Sequence, residues 1–466
     1  MSSKSFQNAS KLNGIVSVLQ FGAVGDGVAD DTAAIQAAIN TGRQVLIPAG
    51  RYKITNLSIT QTGTPAAGQY GGIISGDGIG ATTLLCSASG DAITLIDAYN
   101  FTIQQMTIRT SGAYRAINGQ RAIVTTDTTV RVLLRDLEIL GFDGGAIQLI
   151  GTVGNQQSGH VVKDVFLQAN GGNQLYNYYS NDFTFDNVDI GYYPGTAVAD
   201  VGILLENSSE GELKNTKCWD NIVGLKLLNC IANKVIGVRS ELSKHENLWI
   251  EGGYDNVVTG SRFHTASQTG NGLYDNVYLL NTARLTFVAN NVNTWNSTYS
   301  KWALNVNSGC DDINIGKNML RGFDSTNFGP IRFDNAIERV DGDLIVHFTG
   351  TAVADGTTSY LSVGNNTTEG AAYVQMNRRY ALVRIAFAVS NPPGTSKNFT
   401  YTPHKNGIDQ SAMTCVITGN ASYAVATNSV APQVLFDQGE FYSTKLVTSS
   451  GANIADHRGY AVFVGY

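Results

Sequence analysis

The feature that most constrains this chain is a short apolar strand that keeps restarting. It appears as AITLI at residue 92, AIVTT at 122, AIQLI at 146, QLYNY at 174, GILLE at 202, GLKLL at 224, NLWIE at 247, NVYLL at 276, ALNVN at 303 and PIRFD at 330. The second residues of these segments, from Ile93 and Ile123 through Leu225 and Leu248 to Leu304 and Ile331, are spaced by roughly 22 to 30 residues, an interval typical of solenoids. A second strand recurs inside the interval, as MTIRT at 106, LEILG at 137, VFLQA at 165, VDIGY at 188, TKCWD at 216, VRSEL at 238, SRFHT at 261 and VNTWN at 292. Most of these alternate apolar and polar residues, the period of a half-buried strand. Asn or Gly often stands beside them, where a corner needs left-handed backbone.

No amphipathic period of 3.6 runs through this region, which excludes helical solenoids. The leucine–asparagine signature of leucine-rich repeats is missing, and propeller blades need longer units. An all-β chain wound as a right-handed parallel β-helix satisfies the pattern. Equivalent strands then stack about 4.8 Å apart and their inward residues form one apolar column. Composition agrees, with 51 glycines, 8 prolines and 15% charged residues against a usual quarter.

A β-helix exposes an unpaired strand edge and an open core at its first coil, and such an end needs a cap. The stretch FGAVGDGVADDTAAIQAAINTGRQVLIPAGRYKI, residues 21–54, supplies one. Asp30 and Asp31 are expected to give N-cap and first-turn carboxylates, and Ala33, Ala34, Ile35, Ala37, Ala38 and Ile39 a compact apolar helix face. Gly42 lies just past the helix end.

The same residues carry a resemblance. FGAVGDGVADDTAAIQAAI followed by VLIPAGRYKI resembles the N-terminal signature of the pectate-lyase-like β-helix superfamily, in the form common in bacteriophage tailspikes. With the coil repeat, the resemblance spans residues 14 to about 335. It implies a homotrimer in a virion tail that binds and depolymerises a bacterial surface polysaccharide, of capsule or O-antigen type. It also implies docking to a phage baseplate or adaptor protein through the short N-terminus. The signature assigns no catalytic carboxylate, because these families differ in where theirs lie.

After about residue 340 the coil period fails. LIVHFTG, YLSVGN, AYVQM, ALVRIAFAV, TCVITG, QVLFD and YAVFVGY alternate like antiparallel strands joined by polar turns, which predicts a C-terminal β-sandwich. The expected organisation is a lead and capping helix in 1–55, the β-helix in 56–338, and the sandwich in 339–466, for trimerisation or glycan binding. The formal charge of −6 and the lack of a basic block argue against a nucleic-acid partner. No apolar run approaches the length of a membrane span, so no membrane insertion is expected. Cys86, Cys218, Cys230, Cys310 and Cys415 are widely spaced, without a C-x-x-C pair, and read as buried hydrophobes. No cofactor or metal is expected; Asp311 and Asp312 are too thin a cluster for calcium.

Stacking the coils turns the sequence into a surface map. The outward residues of the second strand form two columns: Thr107, Glu138, Phe166, Asp189, Lys217, Arg239, Arg262, Asn293, and Arg109, Leu140, Gln168, Gly191, Trp219, Glu241, His264, Trp295. Tryptophans, carboxylates and cations concentrate in the lower coils, the composition of a saccharide groove. Gly191 is expected to leave a hollow there, with Tyr192 and Tyr193 in the next turn. The bland alternative is a solvated face of ion pairs, such as Glu241 with Arg239.

Hydrolysis of a glycoside needs two flanking carboxyl groups. Asp189 and Glu241 are two coils apart, about 9.6 Å by stacking alone, which allows an inverting pair. A second face offers another set. Its outward residues are Leu204, Lys226, Trp249, Tyr278 and Asn305, then Glu206, Leu228, Glu251, Leu280 and Asn307. Glu206 and Glu251 are again two coils apart, with Trp249 and Tyr278 alongside. The rival chemistry is β-elimination on a uronate, which needs a cation and a base; Lys217, Arg239, Arg262 and His264 offer both. A third reading is a spike that binds glycan without cleaving it.

Overall fold

In the computed structural model the described residues are 14–61, 71–191, 199–294, 299–320, 331–333, 340–341, 344–353, 358–362, 364–366, 374–376, 380–427, 434–438 and 440–465. The chain forms two compact units that divide between Val257 and Val258.

The first unit begins with the cap. The helix runs Thr32–Ile39, and Ile35 and Ala38 are its buried residues. Ala33 and Ala37, expected on the apolar face, are exposed. The two aspartates divide their work differently from expectation. Asp30 accepts from the Thr32 backbone N–H at 2.9 Å and so serves the first turn. Asp31 makes no side-chain cap bond to the helix. Its buried carboxylate accepts from the N–H groups of Val24 and Gly25, at 2.6 and 3.1 Å, and latches the glycine turn. Gly25 has φ +71°, and a Cβ there would press on the Tyr52 ring. The capping function itself is visible at Gln36, which donates to Ser58 O and accepts from Ser58 N. These two bonds satisfy the open edge of strand Leu57–Thr60, the first of its sheet.

Below the cap the strands pair in parallel, coil on coil. Ile93, Ile123, Ile147, Leu175, Ile203, Leu225 and Leu248 lie in one unbroken register. All of them are buried, so the repeated strand forms the predicted inward column. The rest of each coil is richer than the sequence suggests. Where a single second strand was read, the backbone makes two segments separated by a left-handed residue. In one coil these are Glu212–Lys214 and Lys217–Trp219, with Asn215 at φ 52° between them. In the coils above, Asp136, Asp164 and Asn187 are left-handed as well, but there one strand runs on through each of them, as Leu133–Leu140, Val161–Gln168 and Thr184–Gly191.

The interior corners are closed by buried polar side chains. Asn177 Nδ2 donates to Ser208 Oγ, and Asn233 Nδ2 to Ser208 O. Backbone groups that the turns would leave unpaired are satisfied in this way.

The second unit continues with parallel pairing, Val277 with Leu304 and Leu304 with Ile331. From Leu344 the strands are antiparallel. Strand Ala455–Gly465 pairs with Leu344–Val353 on one side and Tyr380–Val389 on the other. Leu382, Ile385, Phe387, Phe399, Tyr401, Phe436, Tyr442, Leu446 and Phe463 form the core of this part. The five cysteines are buried and unbridged. Among the described residues no helix is long and apolar enough to cross a membrane.

Candidate functional site

Two outer faces of the first unit carry the predicted site residues. On the first, Asp189 stands in register with Lys217 and Lys217 with Arg239; beside them Gly191 faces Trp219 and Trp219 faces Glu241. Both columns run as the repeat predicts. They also show that Asp189 and Glu241 are not stacked. The two are offset by two coils and by two residues along the strand, which separates their Cα atoms by about 12 Å.

Each carboxylate here is already engaged. Asp189 Oδ1 accepts from the Trp219 indole N–H at 3.1 Å, and Oδ2 from Lys217 Nζ at 3.3 Å. Glu241 accepts from Arg239 Nη2 at 2.7 Å. The expected hollow at Gly191 does not exist: the Trp219 indole fills it, and a Cβ at Gly191 would overlap Cε2, Cζ2 and Nε1 of that ring.

Four further residues were expected on this face. Arg262 and His264 belong to the second unit, in register with Asn291 and Asn293; the sequence map had placed Asn293 and Trp295 there, two residues too far along. His264 is fully buried rather than open to a groove. Trp295 lies outside the described residues, as do Tyr192 and Tyr193.

The second face is built on the repeated strand. One column reads Tyr178, Glu206, Leu228, Glu251 and its neighbour Tyr176, Leu204, Lys226, Trp249. Glu206 and Glu251 therefore share a column, two coils apart, about 9.6 Å between Cα atoms. Tyr176 Oη donates to Glu206 Oε2 at 2.7 Å. Burial, and then that bond, raise the Tyr176 phenol well above its ordinary value. Tyr178 stacks on Tyr176 with ring centroids 5.7 Å apart. At the other end, Lys226 Nζ lies 3.9 Å over the Trp249 ring and 3.8 Å from Glu251 Oε2. Tyr278, in the second unit, is half-buried and in register with Asn305.

Tyr176 and Tyr178 were not singled out from the sequence. The signal was present: the alternation in QLYNY places them one coil above Leu204 and Glu206. A cavity of about 270 Å³ lies elsewhere, between the capping helix and the first coils, lined by Ile39, Arg43, Ser58, Ile59, Gln61 and Phe101, with no paired carboxylates. Among the described residues, no group of three His, Cys, Asp or Glu is placed to hold a metal ion.

A capped stack of parallel coils with an outer strip of carboxylates and aromatic rings defines a class by its fold, the parallel β-helix proteins. Residues 15–226, a little under half of the chain, match the model of the family described as "Rhamnogalacturonase A/epimerase, pectate lyase-like". Mannuronan C5-epimerase AlgE1 of Azotobacter vinelandii is 35% identical over 150 residues, covering 26% of this chain and 10% of that protein. The capsule K30/K69-specific depolymerase 1 of Klebsiella phage K5-2 is 34% identical over 163 residues, covering 32% of this chain and 20% of the other. The chain thus spans a fifth or less of the length of these curated relatives. Among solved structures, full-length tailspike protein 2 from the Escherichia coli O157:H7 bacteriophage CAB120 superposes over 94% of this chain and 72% of its own, with a TM-score of 0.55 and 13% identity. That likeness shows the fold.

Proposed function

We propose that this protein is a phage tailspike that binds a bacterial surface polysaccharide, of capsule or O-antigen type, and cleaves it by glycoside hydrolysis. The observation that carries the reading is the column shared by Glu206 and Glu251, with Lys226 and Trp249 in the column beside it. Carboxyl groups roughly 6.5–9.5 Å apart leave space for the attacking water of an inverting mechanism. Side chains leaning from Cα atoms about 9.6 Å apart reach that range. The match to a capsule-specific phage depolymerase supports the substrate class, and on the same reading the spike is a homotrimer.

The surroundings divide the roles. Glu206 accepts a hydrogen bond from Tyr176, which fixes its orientation and suits the base that must aim a water. Glu251 is held by Lys226, whose ammonium also covers the Trp249 ring. A pyranose stacking on that ring displaces the ammonium. Glu251 is then released toward the sugar and is the acid that protonates the leaving oxygen.

A second reading has support of its own. The family match and the mannuronan C5-epimerase relative favour removal of the C5 proton of a uronate, followed by β-elimination. Lys226 is then the cation that neutralises the uronate carboxylate.

The test is incubation with purified bacterial polysaccharides while following new reducing ends and, in the same tubes, ultraviolet absorbance of an unsaturated uronate. Hydrolysis gives reducing ends alone, and elimination gives both signals. Glu206→Gln and Glu251→Gln are each expected to lose about 10³-fold or more in kcat and to retain glycan binding. Wild-type turnover in both variants would remove the site from this face. A bound glycan that yields neither signal would make the spike a non-catalytic receptor binder.

A further inference from the structure

On the first face, Trp219 is held in an unusual way. Its indole lies across the Gly191 backbone, in the space a side chain would otherwise occupy. Its N–H is tied to Asp189 Oδ1, and the other oxygen of that carboxylate is tied to Lys217. A ring seated against a glycine and pinned at its nitrogen has lost its rotamer freedom in advance. Trp219 is nevertheless only half-buried. Part of the residue is therefore left accessible.

The charges beside it are not symmetrical. Asp189 has both oxygens engaged, and the Glu241 side chain is 12% exposed. The cationic side chains stand further out, Lys217 at 49% and Arg239 at 38% exposed. A molecule approaching the indole therefore meets ammonium and guanidinium donors before it meets a carboxylate. Lys217 also has donor capacity beyond its bond to Asp189, since an ammonium carries three N–H groups.

We propose that Trp219, on its Gly191 floor and flanked by Lys217 and Arg239, is a second glycan-binding site that takes an acidic sugar residue. The apolar face of the pyranose stacks on the indole, and its carboxylate lies between the two cations. The site is separate from the carboxylate pair. It sits on the other sheet, although a turn of three residues, 220–222, links strand Lys217–Trp219 to strand Val223–Leu228, which carries Lys226. A polymer engaged at both places gains avidity without any change in the cleavage chemistry.

The experiment is titration of the intact protein with a tetrasaccharide of glucuronic or galacturonic acid, and with neutral cellotetraose as comparison, followed by tryptophan fluorescence. The acidic tetrasaccharide is expected to bind in the millimolar range or tighter, and cellotetraose at least about fivefold more weakly. Trp219→Ala should weaken the acidic ligand about tenfold. Gly191→Ala should do the same with the tryptophan still present, because its Cβ lifts the ring from its seat. The half-exposed Lys217→Gln leaves the packing untouched and should abolish the preference for the acidic ligand. Glu206→Gln and Glu251→Gln should bind it as the wild type does. Undiminished binding in both Trp219→Ala and Gly191→Ala, equal affinity for the two tetrasaccharides, or no binding to the wild type would each overturn the proposal. Loss of binding in the glutamate variants alone would assign the acidic sugar to the other sheet. Because the assay reads binding and not turnover, failure of the cleavage reading leaves these outcomes unchanged.

Discussion

His160 predicts how this β-helix fails in acid. The residue is fully buried at the corner that precedes strand Val161–Gln168. Its Nδ1 accepts from the Val132 backbone N–H at 3.2 Å, so the ring proton belongs on Nε2, which faces Gln157 Oε1 at 2.9 Å. Gln157 in turn accepts from Thr125 Oγ1 and donates to Ile150 O. The neutral ring is therefore fully satisfied. A second proton would sit on Nδ1, pointing at another donor, in a place without water. Burial pushes the imidazole down from 6.5 to about 3.

The sign follows from linkage. A histidine depressed in the folded state contributes stability that is complete above its unfolded value of 6.5 and is lost as pH falls toward 3. At pH 5 the unfolded chain binds this proton and the folded chain does not, which costs about 2 kcal/mol. His160→Asn keeps an acceptor near Val132 and removes the titration. The assay is urea unfolding at pH 7.5 and pH 5.0 for both proteins. Every other group titrates equally in the two, so the difference between their pH dependences isolates His160. The variant is expected to be less stable at pH 7.5, from lost packing, and to lose about 2 kcal/mol less on acidification. The same pH dependence in both proteins would refute the argument.

Two other predictions concern Tyr176 and Asp275. Tyr176→Phe removes the hydroxyl that donates to Glu206 Oε2 and fixes its orientation. kcat/KM should fall by up to about tenfold as the carboxylate loses its fixed aim, with glycan binding retained; an unchanged kcat/KM would take the base role from Glu206. Asp275 titrates in the opposite direction to His160. Burial raises its carboxyl from 3.8 to about 6, against hydrogen bonds from Asn305 and the Trp302 N–H and the charges of Lys301 and Arg332. Its contribution is complete below 3.8 and is lost as pH rises through about 6, so Asp275→Asn should flatten stability across that window by up to about 3 kcal/mol, read by the same urea series.

The fold was legible because one strand per coil repeats a strong signal. Inward residues such as Ile203, Leu225 and Leu248 recur with enough apolar weight to set the register of every coil of the first unit. The companion segments Glu212–Lys214 and Lys234–Ile236 were not legible. Three residues leave no period to detect, and the bends beside them are made by Asp and Asn in left-handed backbone as well as by glycine. The same shortness explains the slip at Asn291–Asn293. With a single buried residue, Val292, between two half-buried neighbours, the alternation alone leaves room for a register error of two.

The site was legible as columns and not as contacts. A stacked repeat determines which residues lie above one another, so the Glu206–Leu228–Glu251 and Trp219–Glu241 alignments follow from counting. It says nothing about the second dimension of the sheet, along the strand, which is where the pairing of Asp189 with Glu241 breaks down. Nor does it say which side chains spend their hydrogen bonds on one another. Asp189 is committed to Trp219 and Lys217, and that commitment converts a candidate catalytic group into the support of an indole platform. The second face keeps its carboxylates in one column and places the Lys226 ammonium over Trp249 in the adjoining one. On the proposed reading, cleavage lies with the column whose cation a sugar can displace, and recognition with the indole that Asp189 holds in place.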